Sequence, residues 1–142
     1  MRGVLRRVLR VAALLWAAPN SVIGLPLAAL GLLPGGSVRL RDGALECVVG
    51  TLPQRLRTWG DRLGIEVITF GHVVVAGSHA LMSASRQHER VHVRQYERYG
   101  PFFLPVYAAS SVLALARGRH PYSHNRFERE ARRRMEVEAK DA

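Results

Sequence analysis

An α+β fold is predicted: an N-terminal apolar membrane helix or hairpin, a small antiparallel sheet, an active helix bearing paired histidines, an apolar helix and a charged C-terminal helix. Three observations predict it. Val11–Leu33 runs for 23 residues without a charge, and a spanning helix needs about 20. Two short alternating segments, each split by a glycine-containing turn, read as hairpins. The second half of the chain shows helical spacing between cap and stop signals.

The N-terminal element begins with Arg2, Arg6, Arg7 and Arg10, ahead of the uncharged run. An Arg-rich end before an apolar stretch fits a spanning anchor with that end inside. It also fits a signal peptide, although the small-residue cleavage pattern around Ala17–Ala18 is weak. Pro19-Asn20 and Pro26 interrupt the stretch, so a hairpin or re-entrant segment competes with a single span. Pro34-Gly35-Gly36-Ser37 is a break, which divides the chain into a membrane-associated segment, 1–36, and a folded domain, 37–142.

Within that domain Val38–Arg41 alternates, Asp42-Gly43 supplies a two-residue turn, and Ala44–Val49 resumes. Leu52, Leu56, Trp59 and Leu63 stand at helical spacing behind Pro53. Ile65–Phe70 and His72–Ala76 are strands separated by Gly71. A helix is predicted over about Ala84–Tyr99, with Ser83 or Ser85 as its cap and Gly100-Pro101 as its stop. Pro101–Ala116 is uncharged for 16 residues, short for a span and suited to a buried or interfacial helix. Asn125 caps a last helix running to about Lys140.

Composition narrows the function. The 142 residues are 48% hydrophobic, with a single cysteine and a net charge of +10. Disorder and a disulfide scaffold are excluded, and Cys47 reads as a small buried apolar residue. Twenty of the 21 basic residues are Arg. The C-terminal helix carries Arg126, Arg129, Arg132, Arg133 and Arg134, but Glu128, Glu130, Glu136 and Glu138 alternate with them. That pattern suits a solvated helix better than a phosphate-binding face, so nucleic acid is not an expected partner. The expected partners are membrane lipid and a peptide or protein substrate, and the expected location is a bacterial inner membrane.

The chemistry is carried by His88-Glu89-Arg90-Val91-His92. Histidines four apart share a helical face and can reach one metal ion. The glutamate beside the first can take a proton from water at an open coordination position. Zinc suits the task because it tolerates a change of coordination. The same residues can also form a solvated face with ion pairs such as Glu89–Arg86. A third protein ligand is required. Glu128, 36 residues after His92 on the last helix, is the candidate. Glu128 can instead serve as the N3 member of a capping box with Asn125, or pair with Arg132. Glu130 is a rival that should point to another side of the helix.

With His88-Glu89-x-x-His92 and Phe127-Glu128-Arg129-Glu130-Ala131, the sequence resembles the gluzincin, thermolysin-like zinc metallopeptidases. The likeness is to their small membrane-embedded members, such as the CaaX prenyl protease and heat-shock membrane peptidase families. It spans about 60 residues, His72–Arg132, at the level of motifs. The resemblance implies a zincin-like domain, bound Zn2+, ligands His88, His92 and Glu128, and Glu89 as catalytic base. The chain departs from the family where Arg132 stands at the position of an Asp that orients a ligand histidine.

An edge strand beside the active helix binds extended substrate in such peptidases, and Gly71–Ala76 is the candidate. His120, Tyr122 and His124 are candidates for stabilising the transition state. His72 and His79 read as structural. The expectation is a membrane-associated zinc metallopeptidase; the alternative is a non-catalytic membrane module with a structural or decayed metal site.

Overall fold

The computed structural model describes residues 2–51 and 66–140. The amphipathic helix expected around Leu52–Leu63 lies outside them. The described elements are helix α1 (Arg2–Ala28), strands β1 (Ser37–Arg41), β2 (Ala44–Val48), β3 (Val67–Phe70) and β4 (Val73–Ala76), then helices α2 (His79–Tyr99), α3 (Phe103–Ala116) and α4 (Arg126–Lys140). The class is α+β.

Both hairpins form where the turn chemistry placed them. In the first, Arg41 pairs with Ala44, and Asp42 and Gly43 both hold positive φ, at 50° and 86°. That is the geometry of a two-residue turn whose twist matches its strands. In the second, Phe70 pairs with Val73 across Gly71-His72. Gly71 sits at φ 60°, against the Ser21 side chain of α1. A Cβ there would collide with Ser21, so glycine is required twice over.

The sheet is mixed, which corrects the expectation of an antiparallel one. Its order is β1-β2-β4-β3, and β2 runs parallel to β4 with Leu45 opposite Val73. Each hairpin fixes its own antiparallel pairing. The long connection from β2 to β3 leaves the hairpins free to join through their inner strands.

Side chains alternate to two covered faces. Cys47, Val73 and Val75 meet Ala28 of α1. Ala44, Val48, Val74 and Ala76 meet Met82 and Val93 of α2. A third cluster, Ala17, Tyr96, Phe103 and Phe127, joins the four helices beside the sheet. The Phe103 and Phe127 rings cross edge to face at 5.1 Å. Such pairs contribute about 0.5–1.5 kcal/mol beyond burial, and this one fixes α4 against α3.

α1 continues through Pro19 and Pro26 as one helix, not a hairpin. An internal proline costs about 3 kcal/mol. Here the inner face of α1 is clamped: Asn20, 3% exposed, donates its amide to the Gly100 carbonyl at 2.8 Å. α2 starts at His79, five residues before the expected start, because Ser78 accepts from the Leu81 N–H and caps it. Leu81 and Met82 then pack into the core.

Two helical stretches, Gly3–Leu32 and His79–Ala116, are long and apolar enough to cross a membrane. Val4, Leu5, Val8, Leu9, Val11 and Leu15 of α1 are each more than half exposed, as are Val112 and Leu115 of α3. Trp16 and Phe102, 6.3 Å apart, join the two apolar surfaces.

Candidate metal centre

α2 presents His88 and His92 on one face, one turn apart, as the spacing requires. Their Nε2 atoms lie 3.1 Å apart. Glu128, in the first turn of α4 and 2% exposed, meets both: Oε2 is 3.1 Å from His88 Nε2 and Oε1 is 3.2 Å from His92 Nε2. Among the described residues this is a His-His-Glu cluster that could hold a metal ion.

The cap explains why Glu128 is there. Asn125, fully buried, accepts from the Phe127 N–H at 2.9 Å and starts α4. Its amide donates to the Tyr107 carbonyl and the Ser111 hydroxyl on α3. That lock sets the rotation of α4 and aims its first turn at α2. Glu128 is therefore not the second half of a capping box, since Asn125 N–H goes to the Tyr122 carbonyl. Nor does it pair with Arg132, whose guanidinium donates to the Ser123 carbonyl. Glu130 faces away from the cluster, toward Arg134 and Gln95.

The donor set fits a cation. Gln95 donates its amide N–H groups to the Phe127 carbonyl at 3.2 Å and to Glu130 at 3.1 Å, both pure acceptors. Its Oε1 must then face His92 Nδ1, 2.9 Å away, and accept the ring proton. When the His92 ring is neutral, this leaves its Nε2 lone pair facing inward, toward His88 and the carboxylate. The two Nε2 atoms and the two Glu128 oxygens, in contact at 3.1–3.2 Å, are held together by protons or a cation placed among them. Ligand atoms around tetrahedral zinc stand about 3.3 Å apart, from bond lengths near 2.0–2.1 Å.

Without metal, protons take that place. Burial works against the Glu128 charge, but hydrogen bonds from His88, His92 and Tyr107 outweigh it and hold the carboxyl well below the usual carboxylate range. Tyr107 donates to Oε1 at 2.8 Å.

Glu89 lines a cleft of about 570 Å³ together with His92 and Glu128. It is 7% exposed and accepts from the Thr69 hydroxyl at 2.7 Å. The alternative Glu89–Arg86 pair of a solvated face does not form, since Arg86 binds Glu46 of β2 at 2.8 Å. One wall of the cleft is β3, and among the described residues the edge strand there is β3, not the Gly71–Ala76 strand expected from sequence. β4 is interior because β3 folds back along its outer side. The edge of β3 that no described strand pairs carries the N–H groups of Val67 and Thr69, by the alternation of an antiparallel ladder. Tyr96 OH already occupies the Thr69 carbonyl at 3.0 Å.

The three stabiliser candidates separate. His120 and Tyr122 line the cleft. His120 Nδ1 accepts the N–H groups of Tyr122 and Ser123, so the neutral ring carries its proton on Nε2. The Tyr122 phenol is pushed up to about 12 by burial and by the Glu128 charge, and so stays a donor. His124 lies instead in a groove with Arg117, Arg119 and Arg129. His72 pairs with Glu97 at 3.0 Å, and His79 is exposed at the start of α2.

Gln95, Thr69 and Tyr107 escaped the sequence reading. Gln95 had a visible signal, three residues beyond His92 on the same helix. Tyr107 was a phenol inside an uncharged run. Nothing local marked Thr69. Comparison of the chain with family models, curated proteins and solved structures returned no match, so the functional reading rests on the cluster itself.

Proposed function

We propose that this protein is a membrane-associated zinc metallopeptidase of gluzincin type. The observation that carries the reading is the convergence of His88, His92 and Glu128 beside a cleft that Glu89 also lines. His88, His92 and Glu128 would hold the ion. Bound zinc supplies Lewis acidity, lowering the pKa of water and polarising a carbonyl.

The chain's own groups do the rest. Glu89, held by Thr69, takes the proton of the attacking water and passes it to the leaving amine. Tyr122 OH and His120 Nε2–H are the donors available to the carbonyl oxygen as charge develops on it. An extended peptide pairs with the outward N–H groups of Val67 and Thr69, which no described strand takes, and apolar Phe103 and Leu104 take its side chains.

The exposed apolar surfaces of α1 and α3 support membrane association. Their exposed apolar side chains recur along a helix instead of standing singly, the pattern of a surface that meets lipid. Arg2, Arg6, Arg7 and Arg10 at one helix start, and Arg117 and Arg119 after the other, suit anionic head groups. The protein should therefore sediment with vesicles of anionic phospholipid more strongly than with neutral ones, and lose that difference in high salt. Equal partition into both at every salt concentration speaks against the head-group contact.

Peptidase activity is tested with an unfolded protein substrate in detergent or vesicles. Cleavage should stop on chelation and return with zinc. Cleavage indifferent to chelators argues against the reading.

A further inference from the structure

We infer that Gln95 is the positioning residue of the site, doing for His92 what the resembling family assigns to an Asp at the position of Arg132. The inference rests on the zinc reading and adds a residue to it. Gln95 is 3% exposed, and its three polar contacts reach from α2 to α4. Phe127 carbonyl and Glu130 on α4 receive its amide protons; His92 on α2 gives it a ring proton. The carboxamide cannot flip, because that would set its oxygen against two acceptors and its N–H groups against the protonated Nδ1. His92 is thereby fixed in the tautomer with Nε2 free for metal, and its ring plane is fixed with it.

The same arrangement releases position 132. Arg132 is not needed beside a ligand and instead ties down, through the Ser123 carbonyl, the loop that brings His120 and Tyr122 to the cleft. The acceptor has moved from the second helix onto the ligand helix itself, three residues from His92.

Two substitutions separate this role from a merely structural one. Gln95→Met fills the same space without an acceptor. Gln95→Glu keeps the acceptor but loses both amide donors to α4. Zinc affinity, measured by competition with a chromophoric chelator on full-length protein, should fall about 10–100-fold in Gln95→Met. In Gln95→Glu it should stay within a few-fold of wild type, or tighten. If the amide mattered only for tying α2 to α4, both variants would weaken alike; that result overturns the inference, as does no loss in either.

A measurement on the unsubstituted chain stands even where Gln95→Met does not fold. Imidazole 15N shifts of metal-free protein, at a pH where His92 is neutral, should show Nδ1 protonated. Nε2 protonated overturns the inference. Wild type that binds no zinc removes the zinc reading as well, whereas wild-type binding with an unaffected Gln95→Met removes only the role of Gln95.

Discussion

Glu89→Gln is expected to keep zinc bound and to lower peptide hydrolysis by about 10²–10⁴-fold, the range for removing a general base. The side chain keeps its shape, and its amide oxygen can still accept from the Thr69 hydroxyl that steadies Glu89 at 2.7 Å. What it loses is the capacity to take a proton. Glu89 is outside the His88–His92–Glu128 cluster, so metal content should not change. Zinc analysis and turnover on the same preparation check both halves. Loss of metal would mean that Glu89 holds the site together; undiminished turnover would mean that another group activates water.

Glu128→Ala is expected to do the opposite and lose the metal itself. It leaves two imidazoles from one helix and no anionic ligand, below the three protein ligands of a catalytic zinc site. Affinity should fall by more than the 10–100-fold typical of losing a hydrogen-bond partner of a ligand. Tyr107 OH would also lose its acceptor, at a cost below the about 1–3 kcal/mol of a fully buried unpaired donor, because Tyr107 is half-buried and lines the cleft. Glu128→Gln returns an acceptor to Tyr107 without the carboxylate charge, so it separates the stability loss from the metal loss. Chelator competition and thermal melting of both variants make the comparison. Zinc affinity unchanged in Glu128→Ala would detach Glu128 from the site.

The sequence carried this site as two separate motifs and could not show that they meet. His88 and His92 were legible because helical spacing alone places them on one face. Glu128 was one of several uses for a carboxylate after Asn125. What decided among them was the anchoring of Asn125 to Tyr107 and Ser111, a contact between elements that no local pattern records. The hairpins were legible for the same reason as the histidines, since Asp42-Gly43 and Gly71 act within a few residues. The parallel pairing of β2 with β4 was not, because edge choice depends on what covers each face. Pro19 and Pro26 misled in the same way: their local penalty is real, but the clamp from Asn20 to Gly100 lies 80 residues away. Gln95 is the instructive omission, as its place near His92 was readable while its partners on α4 were not.

Zinc bound per chain, measured on full-length protein extracted from membranes or refolded with zinc available, tests the converged cluster most directly. About one zinc per chain is predicted, falling to none in Glu128→Ala. Wild-type protein that holds no zinc under those conditions would contradict the metal centre and the hydrolysis built on it.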